Sequence, residues 1–506
     1  MMVKLYIFNF DGTCNSPEDA VQTVCPQGQI EDDSITNILK FHLLCGGSLA
    51  EQGKGWNDSQ KCYYYAGIGT YGTRLQQAIN AVFSPEGSDV RHILNRAISE
   101  WHKSGFDQHR DILLVTGFSR GAALARRFAK LISDQVSQPC IYEAVFDTVA
   151  SINRPNLRKS DRPCSEVVFE NHTLPVNVVK ALHLVSLDEK RRAFQPTLMN
   201  AEGKVTEVWF PGAHADVGGG YYQDGLSDLA LRYALNWIDD LEIGCALGNI
   251  QDIDYGALLP HGVDYHIGED DVIINPNPLG VSHEQMRWWP IAWATLCDRL
   301  CCVISNDRVV EGAKPLVHWS VAERIYRDSD YRPESLKGVT HALLHQDGEL
   351  IPCTGIRAHV ELPQQNLSTL EVNESKVVAV FAAEKYNRTG LWLQAGAIYT
   401  FAVEGKEVWW DAGIECSAVG WDRAGVTLGL KELAIATVEP FRRVAEANWF
   451  ELCASIGSED KEVFRIGRES TFSPRFSGEF CPFANDLERF YGNNRGRIRC
   501  KVTRIK

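Results

Sequence analysis

The chain has 506 residues, with 51 Lys and Arg against 65 Asp and Glu and a formal charge of −14. That length exceeds a single core and predicts two or three domains, while the acidic balance excludes nucleic acid as the main partner, because the surface repels phosphate-rich polymers. No run of about 18 uncharged apolar residues occurs, so no membrane-spanning helix is predicted, and the N-terminal residues read as a first strand, with no signal peptide.

Residues 3–10 run into Asp11-Gly12-Thr13. A buried strand ending in a loop at a sheet edge is expected, where α/β active sites lie. Gly12 or Thr13 is placed to give one N–H to an oxyanion; an Asx-type turn closing the strand is the other reading. Cys62–Thr70 reads as a second strand, and apolar residues at Val90, Ile93, Leu94, Ala97, Ile98 and Trp101 predict a helix over 89–103. Then Asp111–Ile132 reads as strand, sharp turn and helix, with Ser119 at the tip inside Gly117-Phe-Ser-Arg-Gly121. Only glycine fits beside so tight a turn. The following helix aims its N-terminal N–H groups, Arg120 among them, where an oxyanion would form.

Later strands supply the remaining chemistry. Tyr142–Ser151 carries Asp147 at its end, placed to orient a histidine. Val178–Asp188 offers His183 and Asp188 as rivals, His183 as a core histidine and Asp188 opening a charged run read as a solvated loop with local ion pairs. Val205–Tyr221 closes a strand at Pro211-Gly212 and sets His214 before three glycines, which suit backbone approaching a neighbour closely. The order Ser119, Asp147, His214 is that of α/β-hydrolases. Asp216 stands as the alternative acid, as a loop anchor or as a cation ligand.

Phe10-Asp-Gly-Thr13, Gly117-Phe-Ser-Arg-Gly-Ala122, Phe146-Asp-Thr-Val149, Leu187-Asp-Glu-x-Arg-Arg192, Trp209–Tyr221 and Gly225-Leu-Ser-Asp228 resemble, in order, the α/β-hydrolase family that includes the type VI secretion phospholipase effectors, the Tle-type lipases. Val317-His-x-Ser-Val-x-x-Arg324 and Tyr331-Arg-Pro333 resemble its closing segment, so the likeness spans about residues 3–340. It implies an α/β-hydrolase-like sheet flanked by helices and phospholipid ester cleavage by Ser, Asp and His without a cofactor. Its partners would be a membrane phospholipid substrate and a secretion-spike or immunity protein. Cys14 departs from the tryptophan of many relatives, and His318, in a family motif, is the alternative base. With no leader, the expected location is the producer's cytoplasm, followed by delivery to the periplasm or membrane of a target cell.

Residues 286–304, with Trp288, Trp289, Trp293, Leu296 and Leu300 beside Arg287 and Arg299, read as a core helix or as a lid or membrane-contact helix. Fifteen cysteines without a Cys-x-x-Cys pair predict free thiols in a reducing compartment; Cys297, Cys301 and Cys302, in an apolar run, are expected to be buried. Residues 1–345 are thus the expected catalytic domain, 346–375 a linker or a first edge strand, and 376–506 a β-sandwich of short glycine-separated strands. Its last segment, Phe464-x-Ile-Gly467 through Tyr491-Gly-Asn-Asn-x-Gly496, resembles the small galactose-binding lectins of the PA-IL type. The resemblance implies calcium held by Asp486, Asn493 and Asn494 and a glycan ligand. Trp409, Trp410 and Trp421 would stack on a sugar or fill the sandwich. The expected function is a serine lipolytic esterase, a phospholipase A. A calcium-dependent glycan-binding protein with a degenerate hydrolase domain, or a soluble small-ester carboxylesterase, is the alternative.

Overall fold

Apolar runs with little polar alternation, such as Leu5–Phe10 and Ile112–Phe118, suit strands covered on both faces, and both are buried almost throughout. The computed structural model describes residues 3–12, 15–20, 32–67, 89–149, 174–284, 292, 295–306, 308–345, 348–360, 369–405, 408–423, 439–457, 460–487 and 490–506. The chain divides into two compact units, one of Met1–Val21 with Asp33–Leu362 and one built on Pro363–Lys506.

In the first unit, β1 (Leu5–Phe10), β2 (Gln60–Tyr65), β3 (Ile112–Phe118), β4 (Ile141–Phe146), β5 (Val178–Ser186) and β6 (Val205–Phe210) precede a short ribbon, β7 (Ile304–Ser305) and β8 (Arg308–Val309). β9 (Leu316–His318), β10 (Thr340–Leu344) and β11 (Leu350–Thr354) complete a nine-stranded sheet of order β11-β10-β9-β6-β5-β4-β3-β1-β2. Every pairing in it is parallel except β10 with β11. Its helices are α1 (Asn37–Leu44), α2 (Asp89–Lys103), α3 (Ser119–Ser133), α4 (His214–Gly218), α5 (Gly225–Asp239), α6 (Glu269–Val272), α7 (Trp319–Arg327) and α8 (Arg357–Val360). Side chains alternate between two cores: Leu5, Ile7 and Leu114 pack with α1 and α5 on one face, and Tyr6, Phe8, Leu113 and Val115 with α2 and α3 on the other.

The chain leaves β1 for β2 on one side and returns to β3 on the other. The carboxyl ends of β1 and β3 therefore flank a topological switch point, the usual ligand crevice of open α/β sheets. Asp11-Gly12 follows β1 there and Ser119 follows β3. Small residues draw the layers together: a side chain on Gly121 of α3 would strike the Phe10 and Asp11 carbonyl oxygens.

Within 346–375, expected as linker or edge strand, β11 is an edge strand of the large sheet and is followed by α8. Residues 361–368 lie outside the described residues.

The second unit carries two four-stranded antiparallel sheets. One has the order β12 (Ser375–Phe381), β22 (Arg497–Arg504), β14 (Tyr399–Glu404), β19 (Glu469–Phe472), and the other β13 (Trp392–Leu393), β20 (Gly478–Ala484), β17 (Leu452–Ile456), β18 (Val463–Arg465). A third, three-stranded sheet joins β16 (Ile414–Cys416), β15 (Trp409–Asp411) and β21 (Asn494–Arg495). One core spans their inner residues, from Val378, Val380, Tyr399 and Phe401 to Leu452, Phe480, Ile498 and Val502. Trp409 and Trp421 belong to that core, Trp421 stacked on Trp449.

Candidate active site

Strand β3 enters α3 with almost no connecting turn, and the constraint falls on Ser119, whose φ is +58°. A non-glycine residue in that region is strained and persists only where its surroundings fix it. The Ser119 carbonyl accepts from Val149 N–H at 3.1 Å, tying the elbow to the loop after β4. A side chain on Gly117 would strike Gly121 and Ala122, which explains the flanking glycines.

Asp147, one residue past β4, also has positive φ, +38°. Its Oδ2 lies 2.5 Å from His214 Nδ1, and its Oδ1 accepts from Ser186 N–H at 2.9 Å. The Arg299 guanidinium grips both oxygens, at 2.6 and 2.8 Å, and also donates to the Ser186 and Phe194 carbonyls. Burial alone would raise the Asp147 pKa, but Arg299 and His214 outweigh it and hold the carboxyl well below the usual range. Burial lowers the His214 pKa against the pull of Asp147. Its Nε2 is buried and has no hydrogen-bond partner among the described residues.

The histidine turn is fixed by groups of the Leu187–Arg192 motif. Asp188 accepts from Gly212 N–H and from the Tyr331 hydroxyl, both at 2.7 Å, and burial pushes its pKa up to about 7. Glu189 accepts from His214 N–H and from Arg191. Both carboxylates are buried, so the expectation of a solvated loop fails here. The charges face inward because the turn's backbone N–H groups need acceptors. His183 is a satisfied core histidine, accepting from Thr148 N–H at 3.1 Å and lying 2.8 Å from Glu207.

Phe118 links the pieces. Its ring centroid is 4.6 Å from that of His214, a side chain on Gly218 would overlap it, and one on Gly12 would come within 2.6 Å. The Asp11–Gly12 loop, the serine elbow and the histidine loop therefore share one wall. Gly12 N–H, an expected oxyanion donor, is bonded at 2.6 Å to the carboxylate of Asp11, which also receives Thr36 and Tyr64 hydroxyls. Thr13 and Cys14 lie outside the described residues. Arg120 is the second residue of α3, in the first turn, where N–H groups have no intrahelical acceptor.

The two alternatives sit elsewhere. Asp216 accepts from Ala213 N–H and His283 N–H and lies 2.6 Å from His283 Nδ1, anchoring the loop. His318 caps α7 through Ser320, stacks on Phe210 at 4.2 Å, and is held at a pKa of about 3 by burial. The structure pairs His214 with Asp147 and gives His318 no carboxylate partner among the described residues. Arg299, which the sequence places beside a core helix or a lid or membrane-contact helix, is buried on Asp147, since a buried carboxylate requires a cation. Trp288, Trp289 and Trp293 lie outside the described residues, so the lid reading does too.

In the second unit, Asp486 accepts from Leu487 N–H at 2.6 Å and from the Asn494 amide at 3.1 Å, and burial raises its pKa. Asp411, which sequence reasoning missed, is paired with Asn494 across β15 and β21. Burial, with Asp486 adding to it, pushes its pKa up to about 6. The Oδ1 atoms of Asn493 and Asn494 are buried and have no hydrogen-bond partner among the described residues. Two carboxylates and two orphaned amide oxygens fit a hard cation such as calcium.

An eight-stranded parallel array with one antiparallel edge, flanking helices and a serine elbow at its switch point define an α/β-hydrolase-type unit. Residues 4–137 and 135–238 match the family model described as "T6SS, Phospholipase effector Tle1-like, catalytic domain", and the resemblance read from the motifs is found again over that stretch. Among solved structures, the chain is similar to an uncharacterized protein from Pseudomonas aeruginosa (18% identity, 49% of this chain, 47% of that chain, TM-score 0.34). It is also similar to the Tle1 effector bound to the VgrG spike of the type 6 secretion system (24%, 44% and 52%, TM-score 0.28). Part of it is similar to the EclA N-terminal domain, a PllA-like lectin (23%, 25% and 94%, TM-score 0.18). The match spans about half the length of the first two of these proteins. Curated proteins give no match.

Proposed function

We propose that the first unit is a serine lipolytic esterase, a phospholipase A acting on acyl esters of membrane phospholipids. The observation that carries this reading is the strained Ser119 elbow beside a buried His214–Asp147–Arg299 chain at the sheet's switch point. Ser119 attacks the acyl carbonyl while His214 Nε2, whose lone pair is unengaged, takes its proton. Asp147 holds the imidazole with Nδ1 protonated and stabilises the imidazolium that forms. Arg120 N–H, at the positive end of α3, faces the developing oxyanion. A second donor comes from the 11–13 loop, and Gly12 N–H serves only if it leaves the Asp11 carboxylate. His214 then protonates the leaving lysolipid, and water repeats the cycle on the acyl-enzyme.

Ser119 and His214 are each 4% exposed, so substrate reaches them after a local opening, in keeping with action at an interface. The family match supports the phospholipid class and delivery to a target cell; a secretion spike as carrier and an immunity protein as antagonist belong to the same proposal. The orphaned oxygens around Asp486 and Asp411 support a second reading for the C-terminal unit: calcium held there presents a glycan or headgroup to dock the enzyme.

The test is hydrolysis of phospholipid vesicles with lipid product analysis and fluorophosphonate labelling. Ser119→Ala should abolish labelling and lower turnover by roughly 10⁶-fold with the fold retained. Unchanged turnover would refute the reading. His214→Gln should act like Ser119→Ala, whereas His318→Gln should stay within tenfold of wild type; the reverse ranking would move the base to His318.

A further inference from the structure

The edge hairpin β10–β11 and helix α8 bring together three side chains that the proposed hydrolysis does not use. His341 of β10 is paired directly with Cys353 of β11, and His359 lies in α8. They are 0%, 5% and 1% exposed. One ligand atom from each lies within 4.8 Å of the others, and among the described residues no other group of His, Cys, Asp and Glu does so.

The imidazoles meet Nε2 to Nε2 at 2.7 Å. His341 Nδ1 lies 3.0 Å from the Val339 carbonyl, which can only accept, so Nδ1 carries the ring hydrogen and Nε2 presents its lone pair inward. Without a cation, His359 must then protonate its Nε2 to make the bond. His359 Nδ1 is buried with no hydrogen-bond partner among the described residues, and it carries the ring hydrogen once a cation engages Nε2. A carbonyl behind one imidazole, fixing the tautomer that points its lone pair at a shared centre, is the outer-shell arrangement of metal-binding histidines.

We propose that His341, Cys353 and His359 form a zinc site that clasps β10, β11 and α8 at the edge of the catalytic sheet, with water in the fourth position. Two imidazoles and a thiolate are a borderline-soft donor set suited to zinc. On binding, the Cys353 thiol gives its proton to solvent and the sulfur becomes the anionic ligand. Zinc–nitrogen bonds of about 2.0–2.1 Å in a tetrahedron set the two nitrogens about 3.3 Å apart, so the rings part by roughly 0.6 Å. This site is independent of the hydrolytic mechanism and of the oxygen-only cluster around Asp486.

The test uses the full chain, stripped with chelator and equilibrated with zinc alone. Metal analysis should give one zinc per chain. Cys353→Ser and His359→Gln should each lower it at least tenfold while keeping a cooperative thermal melt, and Asp486→Asn should leave it unchanged. Cobalt in place of zinc should give a thiolate charge-transfer band that Cys353→Ser removes; this holds even if one variant fails to fold, because the wild-type spectrum reports the sulfur directly. A wild-type chain that binds no zinc, variants that retain it, or a cobalt spectrum without the thiolate band would overturn the proposal.

Discussion

Replacing Arg299 by glutamine should be among the most damaging single changes in the first unit. Arg299 and Asp147 are both fully buried, and the guanidinium also serves the Ser186 and Phe194 carbonyls. Removing one member of a buried pair leaves an uncompensated charge, at a cost of about 3–5 kcal/mol; glutamine recovers one of the lost carbonyl bonds, so about 4 kcal/mol is expected at pH 7. The pH dependence has a definite sign. The Asp147 pKa is depressed in the folded protein, so its stabilisation is present above the unfolded value of about 3.9 and is lost as pH falls. Without Arg299 the carboxyl takes up a proton at higher pH, and the gap between variant and wild type narrows on acidification. Urea unfolding at pH 7 and pH 4.5, with fluorophosphonate labelling rates at both, measures this. Lys190→Gln, which breaks the half-exposed pair with Glu284, is the control and should cost less than about 1 kcal/mol. If Arg299→Gln costs no more than the control, or its penalty is independent of pH, Arg299 does not hold the acid in place.

Gly121→Ala should destabilise by about 3 kcal/mol and slow labelling of Ser119, because its methyl meets the immovable Phe10 and Asp11 backbone; Gly203→Ala, where nothing lies within 4 Å, should be neutral or stabilise by up to about 1 kcal/mol. Asp188 has a folded pKa raised to about 7, so the folded state binds the extra proton between about pH 4 and pH 7 and the wild type loses stability across that window as pH rises. Asp188→Asn removes this loss, and unfolding curves at pH 4.5 and 7.5 should converge for the variant relative to wild type. Calcium should raise the melting temperature of the C-terminal unit's transition, and Asp486→Asn or Asp411→Asn should abolish that rise in calorimetry with and without chelator.

Much of the catalytic sheet is legible in the sequence because parallel strands buried on both faces leave apolar runs, as in β1, β3 and β5. The elbow is legible too, since a positive φ at Ser119 demands glycine on either side. Asp147 and His214 follow from their places after later strands. Arg299 does not, because it comes from an irregular segment and only the folded chain brings it to Asp147, 152 positions away. Nor does the engagement of Gly12 N–H, which depends on the rotamer of Asp11. In the second unit β20 defies its own sequence: Pro482 sits mid-strand, opposite Ala454 of β17. It is tolerated because β13 pairs only with Gly478 and Glu479, and the neighbour beyond them, Asn387, donates to the Pro482 carbonyl from its backbone and side-chain N–H groups. Asp411 is not legible because only the β15–β21 pairing with Asn494 brings it to the Asp486 cluster.

The position of Arg299 also bears on synthesis. Ser119, Asp147 and His214 leave the ribosome together with most of the sheet, but the cation that neutralises Asp147 follows roughly 85 residues after His214. At about 5–20 residues per second, roughly 4–17 s pass between the synthesis of His214 and that of the cation. The buried ion pair on Asp147 is therefore completed only after the sheet, the elbow and the histidine loop have been made.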